Sequence, residues 1–138
     1  MDQQAARSDI EFIDRGHDAL HEMVSHFRLA VRHKKSQAHI NNLKDDLRAH
    51  LNSHIEFENY IMMVNNYPLT YAHVEEHGLF MGRFEDILGR VDRLDDGAEI
   101  EAAIKQLHDF HVRYFDDILC RYLSDKYHLQ VVHDGLGI

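Results

Sequence analysis

Four stretches of this 138-residue chain set apolar residues at steps of three and four, and histidine or acid interrupts the stripe in each. The first runs Ile13, His17, Leu20, Val24, Phe27 and Val31. The second runs Ile40, Leu43, Leu47, Leu51, His54, Glu58 and then Ile61 or Met62. The third is His73, His77, Phe80, Phe84, Ile87, Val91 and Leu94, and the fourth is Ile100, Ile104, Leu107, His111, Phe115, Ile118 and Tyr122. Residues so spaced share one face of a helix, and an apolar helix face is buried against other elements. Taking an ionised carboxylate out of water costs several kcal/mol unless a partner holds it. Five imidazoles and two carboxylates pointing inward from four helices therefore need a common partner, and a pair of metal ions is one.

Punctuation sets the helix limits. The first helix is expected from about Asp14 to Lys34, and Ser36 can cap the second. The second should end near Asn65-Asn66, before Tyr67-Pro68, and the third runs from about Leu69 to Leu94. Asp95-Asp96-Gly97 makes the next turn, with Asp96 as the N-cap of the fourth helix. Glycine and proline are scarce, at seven and one, and no run alternates strictly, so strands are not expected. Amphipathic helices of this length on short links predict an all-α fold, an antiparallel up-down-up-down four-helix bundle. The chain reads as a single domain over 1–138, with the bundle at about 10–125 and an irregular tail over 126–138.

Composition excludes several classes. The 44% apolar and 28% charged fractions are ordinary for a globular protein, and a net charge of −9 lacks a nucleic-acid footprint. The longest apolar run, Tyr60 to Val64, is far too short to span a bilayer, and no signal peptide is visible. Cys120 is the only cysteine, which rules out an internal disulfide and fits a reducing compartment, so a cytoplasmic location is expected. The anomaly is thirteen histidines, spread along the chain rather than bunched as in a tag.

Spacing supports a metal site. His54 and Glu58 are four apart and project together, as do His73 and His77. Neutral imidazole suits iron, copper, zinc and nickel, while carboxylates bridge ions. One ion cannot use seven such ligands. Two can share them, with Glu58 and Asp116 spanning both. His111 and Asp116 are five apart, about 140° around an ideal helix. That puts Asp116 at the edge of the buried face, beside Val112, Leu119 and Leu123. It must reach in from that flank, or the helix must widen locally, and a π-type irregularity near His111 is expected.

The complete set resembles the hemerythrin family, specifically the bacterial hemerythrins. Asp14-Arg-Gly-His17-Asp-Ala-Leu20 resembles the family's opening D-x-x-H-x-x-L. His54 through Glu58 with Met62, Tyr67-Pro68 followed by His73 and His77, and His111 with Asp116 resemble its later motifs. The resemblance covers roughly residues 10 to 123. It implies two non-haem iron ions, with His73, His77 and His111 on one and His17 and His54 on the other. Glu58, Asp116 and an oxo or hydroxo group would bridge them. The second iron would be one ligand short and bind dioxygen, end-on and reversibly, for carriage, storage or delivery. NO and azide would be ligand analogues. Leu20, Ile55, Leu107 and Val112 stand where the family builds its apolar ligand pocket.

The chain also departs from the pattern. Ile55 replaces a phenylalanine, Asn59 a second glutamate and Leu107 a tryptophan. His21 takes a position that is normally bulky and apolar, either as a half-exposed flank residue or reaching toward the open iron. The other histidines, His108 included, read as surface groups or as supports outside the ligands. The pairs Glu75-Glu76 and Asp116-Asp117 read as solvated faces, Asp116 excepted. The expectation is a binding protein and not an enzyme. The alternatives are a sensor working with a signalling partner or output domain, and, from another class, a di-iron reductase of oxygen, peroxide or nitric oxide.

Overall fold

A computed structural model of the chain describes residues 3–90 and 97–129; Val91, Leu94, the Asp95-Asp96 turn and the tail from Gln130 lie outside them. All regular structure among the described residues is helical, in four rods. The first three are α1 (Gln3–Arg32), α2 (Gln37–Val64) and α3 (Thr70–Leu88). The fourth is α4 (Ala98–His111), a π-helical turn (Val112–Asp116) and α5 (Asp117–Lys126), running on without a break in right-handed helical backbone.

The stripes also fix the direction of each rod. Two apolar clusters fill the core, one toward each end of the bundle. One joins Val24 and Phe27 of α1 to Leu47 of α2, Phe84 of α3 and Ile104 of α4. The other joins Ala6 and Ile10 of α1 to Ile61 and Met62 of α2 and to Leu119 and Leu123 of α5. Thus α1 runs from the second cluster to the first, α2 returns, α3 runs into the first again, and the fourth rod comes back. Each rod packs on its neighbours in chain order, and α1 closes the ring against α4 and α5. This is the up-down-up-down bundle the sequence predicts. Phe27 and Phe84 are fully buried, each worth roughly 1.5–3 kcal/mol of apolar burial.

The links are built from short-range chemistry. Ser36 caps α2, its hydroxyl accepting from the His39 N–H at 3.1 Å. Three rods end alike. Lys34, Asn66 and His128 take positive φ (53°, 52° and 54°). The next N–H then reaches back five residues, Lys35 to Ala30 O, Tyr67 to Met62 O and Leu129 to Ser124 O. This 6→1 closure satisfies carbonyls that the helix end would leave bare. At the start of α4 the cap position is held by Gly97 at φ 78°, where a Cβ would meet Arg28 O and the Val31 side chain at 3.2 Å. That glycine lets the fourth rod start directly on the last turns of α1.

Several expectations need correction: α3 ends at Leu88 rather than near Leu94, and Gly97 rather than Asp96 holds the N-cap of α4. α1 begins at Gln3 and not near Asp14, because Ala6, Ile10 and Ile13 continue the stripe while Arg7, Ser8 and Glu11 face outward or sit at its flank. The extension brings Gln3 beside Tyr127, whose carbonyl accepts from Gln3 Nε2 at 3.0 Å. The fourth stripe also breaks after His111. Ile118 is exposed and Phe115 and Tyr122 are only partly buried, while Asp116, Leu119, Cys120 and Leu123 turn inward. The π turn inserts one residue into the helical period and hands the core face to a different set.

Candidate metal centre

Between the two apolar clusters lies a polar layer. α1 contributes His17, α2 His54 and Glu58, α3 His73 and His77, α4 His111, and the π turn Asp116, all of them buried. The structure therefore brings together all seven residues singled out by spacing. Both carboxylates are fully enclosed, Glu58 at 0% and Asp116 at 1% exposure.

Their oxygens divide the imidazoles into two sets. Glu58 Oε1 lies 3.2 Å from His73 Nε2 and 3.1 Å from His77 Nε2, while its other oxygen lies 2.7 Å from His54 Nε2. Asp116 Oδ1 lies 3.1 Å from His73 Nε2 and 2.9 Å from His111 Nε2, while Oδ2 lies 2.8 Å from His17 Nε2. Each carboxylate thus turns one oxygen to a three-histidine set and the other to a two-histidine set. Two ion-sized groups result: Glu58, His73, His77, His111 and Asp116, and His17, His54, Glu58 and Asp116.

Groups around the layer fix how the rings present themselves. His111 Nδ1 lies 3.1 Å from Glu76 Oε2, and His77 Nδ1 lies 2.8 Å from Asn59 Oδ1. An oxygen on Nδ1 keeps the proton there and leaves the Nε2 lone pair aimed inward, the usual support of a metal-bound histidine. Without a cation, His111 has carboxylate oxygen on both sides and must carry two protons. Burial opposes that charge, but the Asp116 carboxylate and its hydrogen bond outweigh it and raise the pKa to about 9. His17 and His73 are raised in the same way, against burial, by Asp116 and Glu58. For His77 burial prevails and the pKa falls. Burial and Asp116 push Glu58 up, yet the imidazoles of His54, His73 and His77 bring it down to about 2. Asp116 is likewise held well below its usual value, burial being outweighed first by His111.

A cation fits this donor set. His54 Nε2 and a Glu58 oxygen approach to 2.7 Å, yet their angles are not those of a hydrogen bond, and both atoms are buried without another partner. Two lone-pair atoms so placed are satisfied together by a positive ion between them. Gly16 leaves room for the His54 ring, since a Cβ there would overlap His54 Nδ1 and Cε1. His50 Nε2 lies 2.9 Å from Gly16 O and ties α2 to α1 at the same level.

The expected pocket residues separate. Leu20 and His21 line a cleft of about 410 Å³ between α1 and α4, together with Val24, Ile104, Lys105 and His108. Ile55, Leu107 and Val112 are half-buried and stand outside that lining. Three groups read as solvated or peripheral prove buried. Glu76 is 6% exposed and supports His111; it lies three residues after His73 on the inward stripe, a signal the acidic pair obscured. Asp117 is 3% exposed, and burial raises it to about 6. His108 is 4% exposed, with ring centroids 5.0 Å from His17 and 5.1 Å from His21. Burial, then the neighbouring histidines, push it down to about 3, and its Nδ1 has no hydrogen-bond partner among the described residues.

Comparison of the chain with protein-family models, with curated proteins and with solved structures returns no match. No helix among the described residues is long and apolar enough to cross a membrane. What the geometry carries is a buried histidine and carboxylate cluster able to hold metal in a four-helix bundle.

Proposed function

We propose that this layer holds two iron ions and that the protein binds dioxygen reversibly at the ion carried by His17 and His54. The observation that supports this most directly is the unequal division of donors. Three imidazoles and two carboxylate oxygens serve one ion; two imidazoles and the other two carboxylate oxygens serve its neighbour. With one further oxygen from solvent the first set would offer six donors and the second only five, so the second would leave a position open. An open position is what a ligand from solution requires. The iron pair, when bound, supplies the electrons that hold dioxygen. Imidazole-rich ligation with only two carboxylates favours binding over oxidative chemistry, and it is the arrangement that the hemerythrin resemblance implies.

The chain's own residues do the rest. Glu76 and Asn59 hold the Nδ1 protons of His111 and His77 away from the metal side. The apolar clusters above and below exclude water, and the low dielectric they create strengthens the hold of carboxylate on cation. Leu20, three residues after His17 on α1, is buried in the first apolar cluster.

His108 favours a second reading, turnover of oxygen, peroxide or nitric oxide. It places a buried polar ring against His17 where an all-apolar lining would best preserve a bound gas.

Protein reconstituted anaerobically with Fe2+ and then exposed to oxygen distinguishes these readings by its visible spectrum. Retention of two irons per chain, with a charge-transfer band that vanishes on purging and returns with oxygen, is expected. A permanent ferric spectrum with no intervening band would reject reversible binding in favour of turnover. A chain that retains no iron would reject both.

A further inference from the structure

Outside the seven-residue layer a second constellation remains without a role. One ring nitrogen of His21, one of His108 and a carboxylate oxygen of Asp109 lie within 4.8 Å of one another. The two histidines also line the cleft between α1 and α4, where Asp18 and Glu101 add acid and Lys105 is the one base. A second observation bears on the same ring: His108 is only 4% exposed, yet its Nδ1 has no hydrogen-bond partner among the described residues. An unpaired nitrogen at that depth is costly. Asp109 is exposed and His21 half-buried, so the group opens to solvent on one side.

We propose that His21, His108 and Asp109 form a third divalent-cation site, facing the cleft, through which ions reach the inner layer. Two imidazoles and one carboxylate suit Fe2+, Co2+ or Zn2+, with water completing the shell. Metal bonds of about 2.1 Å set donors roughly 3.4 Å apart at the edge of a tetrahedron. The present spacing therefore closes by side-chain rotation of about an ångström, and His21 and Asp109, not tightly packed, have that freedom. Incomplete enclosure also makes the site weaker than the inner ones, as suits a station that releases its ion. His108 gives the direction of release. Its ring stands edge-on to His21 at 5.1 Å and to His17 at 5.0 Å, so it borders the outer group on one side and the two-histidine half of the inner layer on the other. The delivery role rests on the two-ion reading of that layer; the third site itself does not.

The test is metal stoichiometry and loading rate in the full chain. Metal-free protein is titrated with Co2+, alone and as the double variant His21→Gln/Asp109→Asn, whose positions are exposed enough to leave the bundle intact by circular dichroism. Three equivalents in the natural chain and two in the variant are expected, with Fe2+ loading of the inner layer slowed about tenfold in the variant. Two equivalents in both proteins would overturn the third site while leaving the inner pair standing. One equivalent, lost in the variant, would support the outer site and sink the two-ion reading. Loss of the third equivalent with an unchanged loading rate would overturn the delivery role.

Discussion

Gly16 lies in the middle of α1, where glycine costs about 1 kcal/mol relative to alanine. The cost has a local reason, for the His54 ring occupies the space a methyl group would need. A ring at the end of a side chain can swing away, so the collision bears on ligation more than on folding. Gly16→Ala should therefore lower affinity at the two-histidine half by about 10–100-fold, as when a ligand loses its orienting support. The melting temperature of the metal-free protein should shift by only a few degrees. Equilibrium dialysis with Co2+ beside a thermal melt measures both. A large loss of stability with metal affinity intact would show that Gly16 serves packing alone.

The π turn is the element on which the site depends. By giving the fourth rod one residue more than its period requires, it puts both His111 and Asp116 on the inner face, five positions apart. Inserting one alanine after exposed Arg113 adds a residue that this single π turn does not absorb, and should turn α5 by about 100°. Asp116 would leave the layer and Ile118 would compete with Leu119 for the core. At least one bound ion should be lost, and the melting temperature should drop by ten degrees or more, as calorimetry and metal analysis would report. The same element marks how far the sequence could be read. Periodicity places four rods and six of the seven inward residues, because a 3.6-residue stripe is a property of composition at fixed spacing; Asp116, five after His111, falls at the edge of that stripe. The five-residue gap points to a π turn, but a regular period carries the stripe on through Phe115, Ile118 and Tyr122, since it cannot reveal where it is broken. His108 and Glu76 escaped for a different reason. Their spacing from Ile104 and His73 puts both in step with the inward stripe, but a polar side chain there fits a solvated flank equally well, and their burial comes from what α1 and α4 place over them.

For the whole molecule, the metal-free layer makes stability depend on pH in two opposite ways. His111 is raised from 6.5 to about 9, so its contribution is complete below pH 6.5 and disappears as pH rises toward 9. His108 is lowered from 6.5 to about 3, so its contribution is complete above pH 6.5 and is lost as pH falls toward 3. Glu58, lowered to about 2, adds to the acid-side loss below pH 4.5. Asp117, raised to about 6, is instead stabilising only at low pH, and its share is lost between 3.8 and 6. The melting temperature of the metal-free protein should peak near pH 6 to 7. Metal needs neutral imidazole, so loading should release protons and remove the alkaline decline. Melts across pH 4 to 10, with and without bound metal, would display the difference, and a loaded protein that still weakens toward pH 9 would contradict it.

The hydrogen bond from Gln3 to the Tyr127 carbonyl joins the first described turn to the end of the fourth rod. Bridging that point and opening the chain at the exposed link between Lys34 and Ser36 would yield a circular permutant with every rod and all seven inward residues retained. The same closeness makes the bundle a cassette. It can be spliced into a surface loop of a host protein, both crossings side by side, so that whatever tightens the layer between its apolar ends would draw on the host at a single place.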